Sequence, residues 1–328
     1  MATIKDVSKI ANVSVATVSR VLNNNGYVKE ETKKKVLAAI EQLNYRPNDV
    51  ARSLFKGKSK MIALFVPDIR NPFFPELARA VEDNANAHNY TFILCNTDNN
   101  SVKELTYLNA LLQKSIDGIV IVSNTMSAEQ LRDIKVPIVA LDRKPNENIP
   151  SVTVNNQEGA IQAVQHLKQS GCKYIGHISG PQDISSAKDR TKGYLAVVKE
   201  ESWFSEDFIH SGNYTYEEAF EAAKNLLTRF PNIDGIFAAN DMMAIGALKA
   251  AEHLGILVPN DLSIIGFDGI QMGSTTSPAL TTMEQPLYTI GKRATEMLLQ
   301  KIESPEKELV SEEYQVTFIQ RSSTKERR

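Results

Sequence analysis

Apolar residues recur at helical spacing through the first forty or so positions, then switch to short continuous runs separated by amphipathic stretches. Ile4, Val7, Ile10 and Ala11 predict a helix from Ile4 to Ala11. Asn12-Val13-Ser14 interrupts it, and Ser14 is placed to cap a second helix from Val15 to about Leu22. That second helix turns Val18 and Val21 inward and leaves Val15, Ala16, Thr17, Ser19 and Arg20 outward. A third, from about Glu30 to Leu43, carries Val36, Leu37, Ile40 and Leu43 on one stripe and closes a three-helix core. Its other face bears Lys33, Lys34 and Lys35.

Beyond Met61 the apolar runs are Ile62 to Val66, Phe92 to Cys95, Gly118 to Val122, Ile138 to Leu141, Ile175 to Ile178, Gly235 to Ala238 and Ser263 to Phe267. Runs of this length alternating with helical stretches predict parallel sheets covered by helices. A weak internal repeat, Asp117-Gly118-Ile119-Val120 against Asp234-Gly235-Ile236-Phe237, predicts two similar α/β lobes. Such sheets bind ligands beyond the carboxyl ends of their strands. The runs end there in polar residues: Asp142-Arg143, Asn240-Asp241 and Asp268. Burying them unpaired is costly, so they are expected to serve a hydroxyl-rich ligand or one another.

Charge sharpens the division. The 328 residues carry a net charge of −2, but residues 1–60 hold twelve Lys and Arg against five Asp and Glu, a net of +7. The remainder, 25 against 34, carries −9. A basic head on an acidic body points to a polyanion as the head's partner. Cys95 and Cys172 are too few and too far apart for a disulfide framework or a Cys-x-x-Cys metal site. No apolar run approaches the roughly 20 residues of a membrane helix, and the N-terminus lacks a signal core, so a soluble cytoplasmic protein is expected.

Three motifs, Thr3-Ile4-Lys5-Asp6-Val7, Val13-Ser14-Val15-Ala16-Thr17-Val18-Ser19-Arg20-Val21-Leu22-Asn23 and Asn44-Tyr45-Arg46-Pro47-Asn48, resemble the head of the lactose repressor family. The resemblance implies a second helix in the major groove of a pseudo-palindromic operator, with Val15, Ala16 and Arg20 on base edges. Arg20 has the fork that matches guanine O6 and N7, while Val15 and Ala16 offer apolar contacts. Thr3, Ser14, Thr17, Ser19, Asn23, Thr32, Tyr45 and Asn48 would hold the phosphate backbone. Residues 47–59 would form a hinge that pairs across a homodimer and wedges Leu54 into the minor groove.

Sugar sites combine aromatic faces with planar Asp, Asn, Gln and Arg groups that hold hydroxyls in pairs. The body supplies both, and from Lys60 to about Ser323 it is similar to the periplasmic ribose-binding proteins and to ribose-responsive regulators. The matching runs are Asn71-Pro72-Phe73-Phe74, Leu141-Asp142-Arg143, Ala187-Lys188-Asp189-Arg190, Phe237-Ala238-Ala239-Asn240-Asp241, Gly266-Phe267-Asp268-Gly269 and Gln285. The resemblance implies that Asn71, Asp142, Arg143, Arg190, Asn240, Asp268 and Gln285 hold the hydroxyls of D-ribose while Phe73 and Phe74 sandwich its ring. Two positions depart from it: Tyr214, also expected at the sugar, stands where the binding protein has phenylalanine, keeping a ring and adding a hydroxyl, and Pro67 stands where it has serine. Another pentose or a nucleoside therefore stays open as effector, as does a nucleobase or a phosphocarrier protein as corepressor.

The expected fold is thus an N-terminal all-α helix-turn-helix head (1–46), the hinge (47–59), and an α/β two-lobed periplasmic-binding-protein-like (type I) effector domain (60–323). Its N-lobe is expected over about 60–157 and 287–323, and its C-lobe over about 158–286. The histidines are scattered, and no nucleophile with a base, metal cluster or phosphate-binding Gly loop is present. The expectation is a regulator with a small-molecule effector, no cofactor and no metal; a sugar-processing enzyme using Asp142 and Asp268 is the remote alternative.

Overall fold

Thr3 starts the first helix with a reciprocal cap, its hydroxyl accepting from the Asp6 N–H while the Asp6 carboxylate accepts from the Thr3 N–H at 2.9 Å. The computed structural model describes residues 2–23, 25–45, 58–122, 125–126, 128–132, 134–144 and 149–326. They divide into two compact units, Met1–Ser59 and Lys60–Arg328. Asn48 and Leu54, with most of the expected hinge, lie outside the described residues.

In the first unit, α1 (Ile4–Ala11), α2 (Val15–Asn23) and α3 (Glu30–Gln42) each contribute one fully buried valine, Val7, Val18 and Val36. Asn12 ends α1 in the left-handed region at φ 51°, which makes the two-helix joint short. The expected stripes are corrected at two places. Leu37 is 49% exposed and Ile10 45% exposed, because the inward face of α3 runs through Val36, Ala39, Ile40 and Leu43, and that of α1 through Ile4, Val7 and Ala11.

The second unit contains two six-stranded sheets. The first has order β11-β5-β4-β3-β1-β2, from β1 (Met61–Val66), β2 (Thr91–Asn96), β3 (Gly118–Ile121), β4 (Ile138–Leu141), β5 (Ser151–Val154) and β11 (Glu312–Tyr314). The second has order β12-β10-β9-β8-β6-β7, from β6 (Ile175–Ser179), β7 (Ile209–Ser211), β8 (Gly235–Ala238), β9 (Ser263–Asp268), β10 (Thr281–Glu284) and β12 (Thr317–Ile319). All pairs are parallel except β10 with β12. The central strands β1, β3, β8 and β9 are buried on both faces and read as apolar runs for that reason.

Helices cover both sheets: α4 (Phe73–Ala87), α5 (Ser101–Gln113) and α6 (Ala128–Arg132) follow strands of the first. α7 (Asn156–Gln169) leads from β5 of the first sheet to β6 and packs on the second, while α8 (Ser185–Val198), α9 (Tyr216–Arg229), α10 (Asp241–His253) and the short α11 (Gln271–Ser274) follow strands of the second. The chain then returns through α12 (Leu287–Glu303), which packs against α4. Here the expected lobe boundary changes. Residues 317–323, expected with the first lobe, complete the second sheet: Ile319 pairs with Thr282, and Ser323 Oγ donates to the Ile264 carbonyl at 2.6 Å.

Candidate functional site

In the helical unit, Val18 is buried while Val15, Ala16 and Arg20 are exposed on α2. Val15 is 39% exposed and contributes nothing to the local core, as suits an apolar contact to another molecule. The hydroxyl and amide side chains expected on phosphates are locally tied. Ser14 Oγ accepts from the Thr17 N–H at 3.1 Å and bonds the Thr17 hydroxyl at 2.9 Å. Asn23 Nδ2 donates to the Ser19 carbonyl at 2.8 Å, and Thr3 serves the α1 cap. Thr32 and Tyr45 are half-buried, Tyr45 against the helical core.

In the second unit, residues following several strand ends converge on one cavity. Asn71, Phe73 and Phe74 come from the loop and helix after β1, and Asp142 and Arg143 follow β4. Ser186 and Arg190 lie on α8, Tyr214 follows β7, Asn240 follows β8, and Asp268 ends β9. Sequence reasoning missed Ser186, whose position on the first turn of α8 leaves no mark in the residue pattern. Gln285 is one step back, donating through Nε2 to Asp268 Oδ1 at 2.8 Å.

Phe73 and Phe74 do not form the expected sandwich. Their ring centroids are 5.1 Å apart at 88°, edge to face, so nothing fits between them; together they make one apolar corner.

Arg190 is the best-held group in the cavity. Its Nε donates to Asn156 Oδ1 at 2.8 Å, its Nη1 to the Ala239 carbonyl at 2.5 Å and to Asp268 Oδ1 at 3.0 Å. Arg143 Nε lies 3.6 Å from Asp142 Oδ2 in a second buried ion pair. Burial pushes the Asp142 carboxyl above its usual range, against the pull of Arg143 and Arg190. Burial likewise pushes Asp268 up to about 6, with Arg190 opposing and Asp142 reinforcing the rise.

Among the described residues, Asp142 Oδ1, Arg143 Nη1 and Gln285 Oε1 are buried without a hydrogen-bond partner from the chain. Orphans of this kind are rare in interiors, and these three atoms retain hydrogen-bonding capacity beside the cavity. Asn240 Oδ1 accepts from the Met243 N–H at 2.8 Å and Asn71 Oδ1 from the Phe73 N–H at 3.1 Å, so each amide retains its N–H groups as donors.

Three cavity residues have left-handed backbone, Asp142 at φ 67°, Tyr214 at 62° and Asp268 at 116°. Side chains seldom adopt this region, and its concentration here is the strain that functional loops retain. The Tyr214 ring also needs Gly180 behind it, where a Cβ would lie 2.6 Å from Tyr214 Cε1.

The comparisons agree with both units. Residues 3–48 match the family described as bacterial regulatory proteins, lacI family, and residues 59–326 the periplasmic binding proteins and sugar binding domain of LacI family. The chain is 47% identical to the ribose operon repressor of Halalkalibacterium halodurans, covering 99% of this chain and 98% of that one. It resembles the structure of the lac repressor dimer bound to operator and the anti-inducer ONPF, with a TM-score of 0.88, 25% identity and 99% of each chain covered. It also resembles a LacI family transcriptional regulator from Enterococcus faecium with bound ribose, with a TM-score of 0.71 and 30% identity over 81% of this chain and 98% of that one. Among the described residues no helix is long and apolar enough to cross a membrane.

Proposed function

This chain belongs to the LacI family of DNA-binding transcription regulators, whose members here are repressors and not enzymes, and from that premise we propose that it represses sugar-utilisation genes and leaves its operator on binding D-ribose. The observation that carries the effector is the convergence of nine of the ten expected sugar-contacting residues on one small, buried, charge-balanced cavity, with Gln285 bonded to its edge. Two carboxylates and two guanidiniums provide paired donors and acceptors for vicinal hydroxyls, and the Phe73-Phe74 corner covers an apolar face. Ribose bound there joins Asp142 and Arg143 of one lobe to Arg190, Tyr214 and Asn240 of the other.

The protein acts in the cytoplasm as a homodimer, since one head of this size reads too few base pairs for specificity. Arg20 reads guanine, Val15 and Ala16 make apolar base contacts, and Leu54 enters the minor groove; Asn48 holds phosphate beside the polar residues of the head. Sugar lowers operator affinity, and linkage requires operator to lower sugar affinity by the same factor, typically about 1–3 kcal/mol.

The test is titration of D-ribose into the protein bound to a labelled pseudo-palindromic operator at fixed salt, with glucose, xylose and adenosine as controls. Selective release by ribose is expected. Operator binding that ignores ribose overturns the effector and directs attention to a nucleobase or a phosphocarrier protein.

A further inference from the structure

Asp241 is fully buried at the start of α10 and, unlike its neighbour Asn240, does not line the cavity. Three donors converge on its carboxylate: the Gly269 N–H at 2.8 Å and the Ile270 N–H at 2.9 Å on Oδ2, and the Thr282 hydroxyl at 2.6 Å on Oδ1. It thereby ties the turn after β9 to β10. That turn carries Asp268 in its strained φ of 116°, followed by Gly269 at φ 80°, while β10 leads directly to Gln285. The carboxylate also depends on Gly266 in β9, where any Cβ would collide with Oδ1.

We propose that Asp241 is a positioning residue for the effector site, holding the Asp268 turn and the Gln285 strand in the geometry that receives the sugar hydroxyls. The proposal rests on the sugar-site reading above and adds a residue that touches neither sugar nor DNA. A strained turn relaxes unless something over-determines it. Three hydrogen bonds converging on one buried carboxyl group supply that constraint. Asp268 is the charged group that faces Asp241, from the end of β9; its other polar partners are Thr282 on β10 and the turn amides, and Arg190 and Gln285 bond Asp268 itself. Burial first, and then Asp268, push the Asp241 carboxyl up to about 8, the response of two carboxyls in one dry region.

Asp241→Asn preserves the shape and much of the bonding: its oxygen accepts from the turn amides, and the Thr282 hydroxyl rotates to accept from its NH2. Asp241→Ala leaves two buried amides without an acceptor. The experiment compares the full-length wild type with both variants and with Thr282→Val. It measures D-ribose affinity by calorimetry, operator affinity without sugar, and the Asp268 carboxyl signal of the sugar-free protein by carbon-13 NMR.

The expected result is at least a tenfold loss of ribose affinity in Asp241→Ala, smaller losses in Asp241→Asn and Thr282→Val, and unchanged sugar-free operator binding in the last two. In Asp241→Ala the Asp268 carboxyl signal moves as the turn relaxes, while in Asp241→Asn it stays close to wild type. A side chain that merely filled space would not separate the two variants in this way. Ribose affinity in Asp241→Ala within threefold of wild type overturns the proposal, as does an Asp268 carboxyl signal in Asp241→Ala that superimposes on wild type. If the wild type itself binds no ribose, the effector reading has failed, and the Asp268 signal alone decides the role of Asp241.

Discussion

Arg190 sits over Phe267, its guanidinium carbon 3.8 Å from the ring centroid, while its N–H groups donate to Asn156, the Ala239 carbonyl and Asp268. Stacking fixes the plane of the fork, and the fork fixes Asp268. Arg190→Lys keeps the charge but loses both the plane and the simultaneous contacts. Ribose affinity is expected to fall at least tenfold, within the roughly 1–3 kcal/mol of a charged hydrogen bond, with the fold retained. Arg190→Ala leaves Asp268 buried without its counter-charge and is expected to destabilise the protein by about 3–5 kcal/mol. Calorimetry and urea unfolding check the two; a lysine variant that binds like wild type would sink the argument.

Asp142→Asn is expected to separate stability from function. Because burial raises the folded-state pKa of Asp142 above its unfolded value, the folded protein binds this proton more tightly than the unfolded chain. Stability from this group is therefore present at low pH and lost as pH rises through the folded pKa. Asparagine imitates the protonated form, so the sugar-free variant should unfold at a higher temperature than wild type at pH 8, with the difference shrinking towards pH 4. Ribose affinity at pH 8 should fall. A variant less stable than wild type at pH 8 would contradict this.

Gly180→Ala places a methyl group against the Tyr214 ring and within 2.9 Å of the Ala187 Cβ. The ring must shift off the cavity wall, at a stability cost of about 1–3 kcal/mol for overpacking. Weaker ribose binding with unchanged sugar-free operator affinity is the expected pattern, measured by calorimetry and gel shift. Normal ribose affinity would show that the ring's position is immaterial.

Arg20→Ala should weaken operator binding by about 1–3 kcal/mol and relax discrimination at one guanine. A gel-shift titration against operators altered at single base pairs measures both. In the same assay Leu54→Ala should keep the fold, by circular dichroism, and weaken specific more than non-specific binding. Equal loss on every operator would reassign Arg20 to the phosphates, and wild-type affinity in Leu54→Ala would remove the wedge.

Much of this is legible in the sequence alone. The central strands stand out because a strand buried on both faces is apolar along its length, as at Ile62 to Val66, whereas the inner strands β5 and β10 are hidden by buried Ser151, Thr153, Thr281 and Thr282. The short edge strands β7, β11 and β12 do not stand out either, since Ile209–Ser211, Glu312–Tyr314 and Thr317–Ile319 are half solvated and mix polar with apolar residues. Asp142, Arg143, Asn240 and Asp268 stand out as polar residues ending apolar runs. Ser186 has no such frame, and the edge-to-face meeting of Phe73 with Phe74 depends on rotamers that adjacency in sequence does not set. Leu37 and Ile10 show the limit of periodicity: a stripe drawn one residue too wide collects a neighbour from the helix rim.

The late return of residues 317–324 to the second sheet has a consequence for how the molecule is made. Ser323 and Thr324 are buried, and Ser323 bonds across to Ile264 and Thr281. The first lobe likewise waits for α12 and β11. During translation the helical head leaves the ribosome about 270 residues before either half of the sensor is whole. A nascent chain thus presents a DNA-reading surface long before it can answer to a metabolite, and termination before Thr317 removes the response at its source.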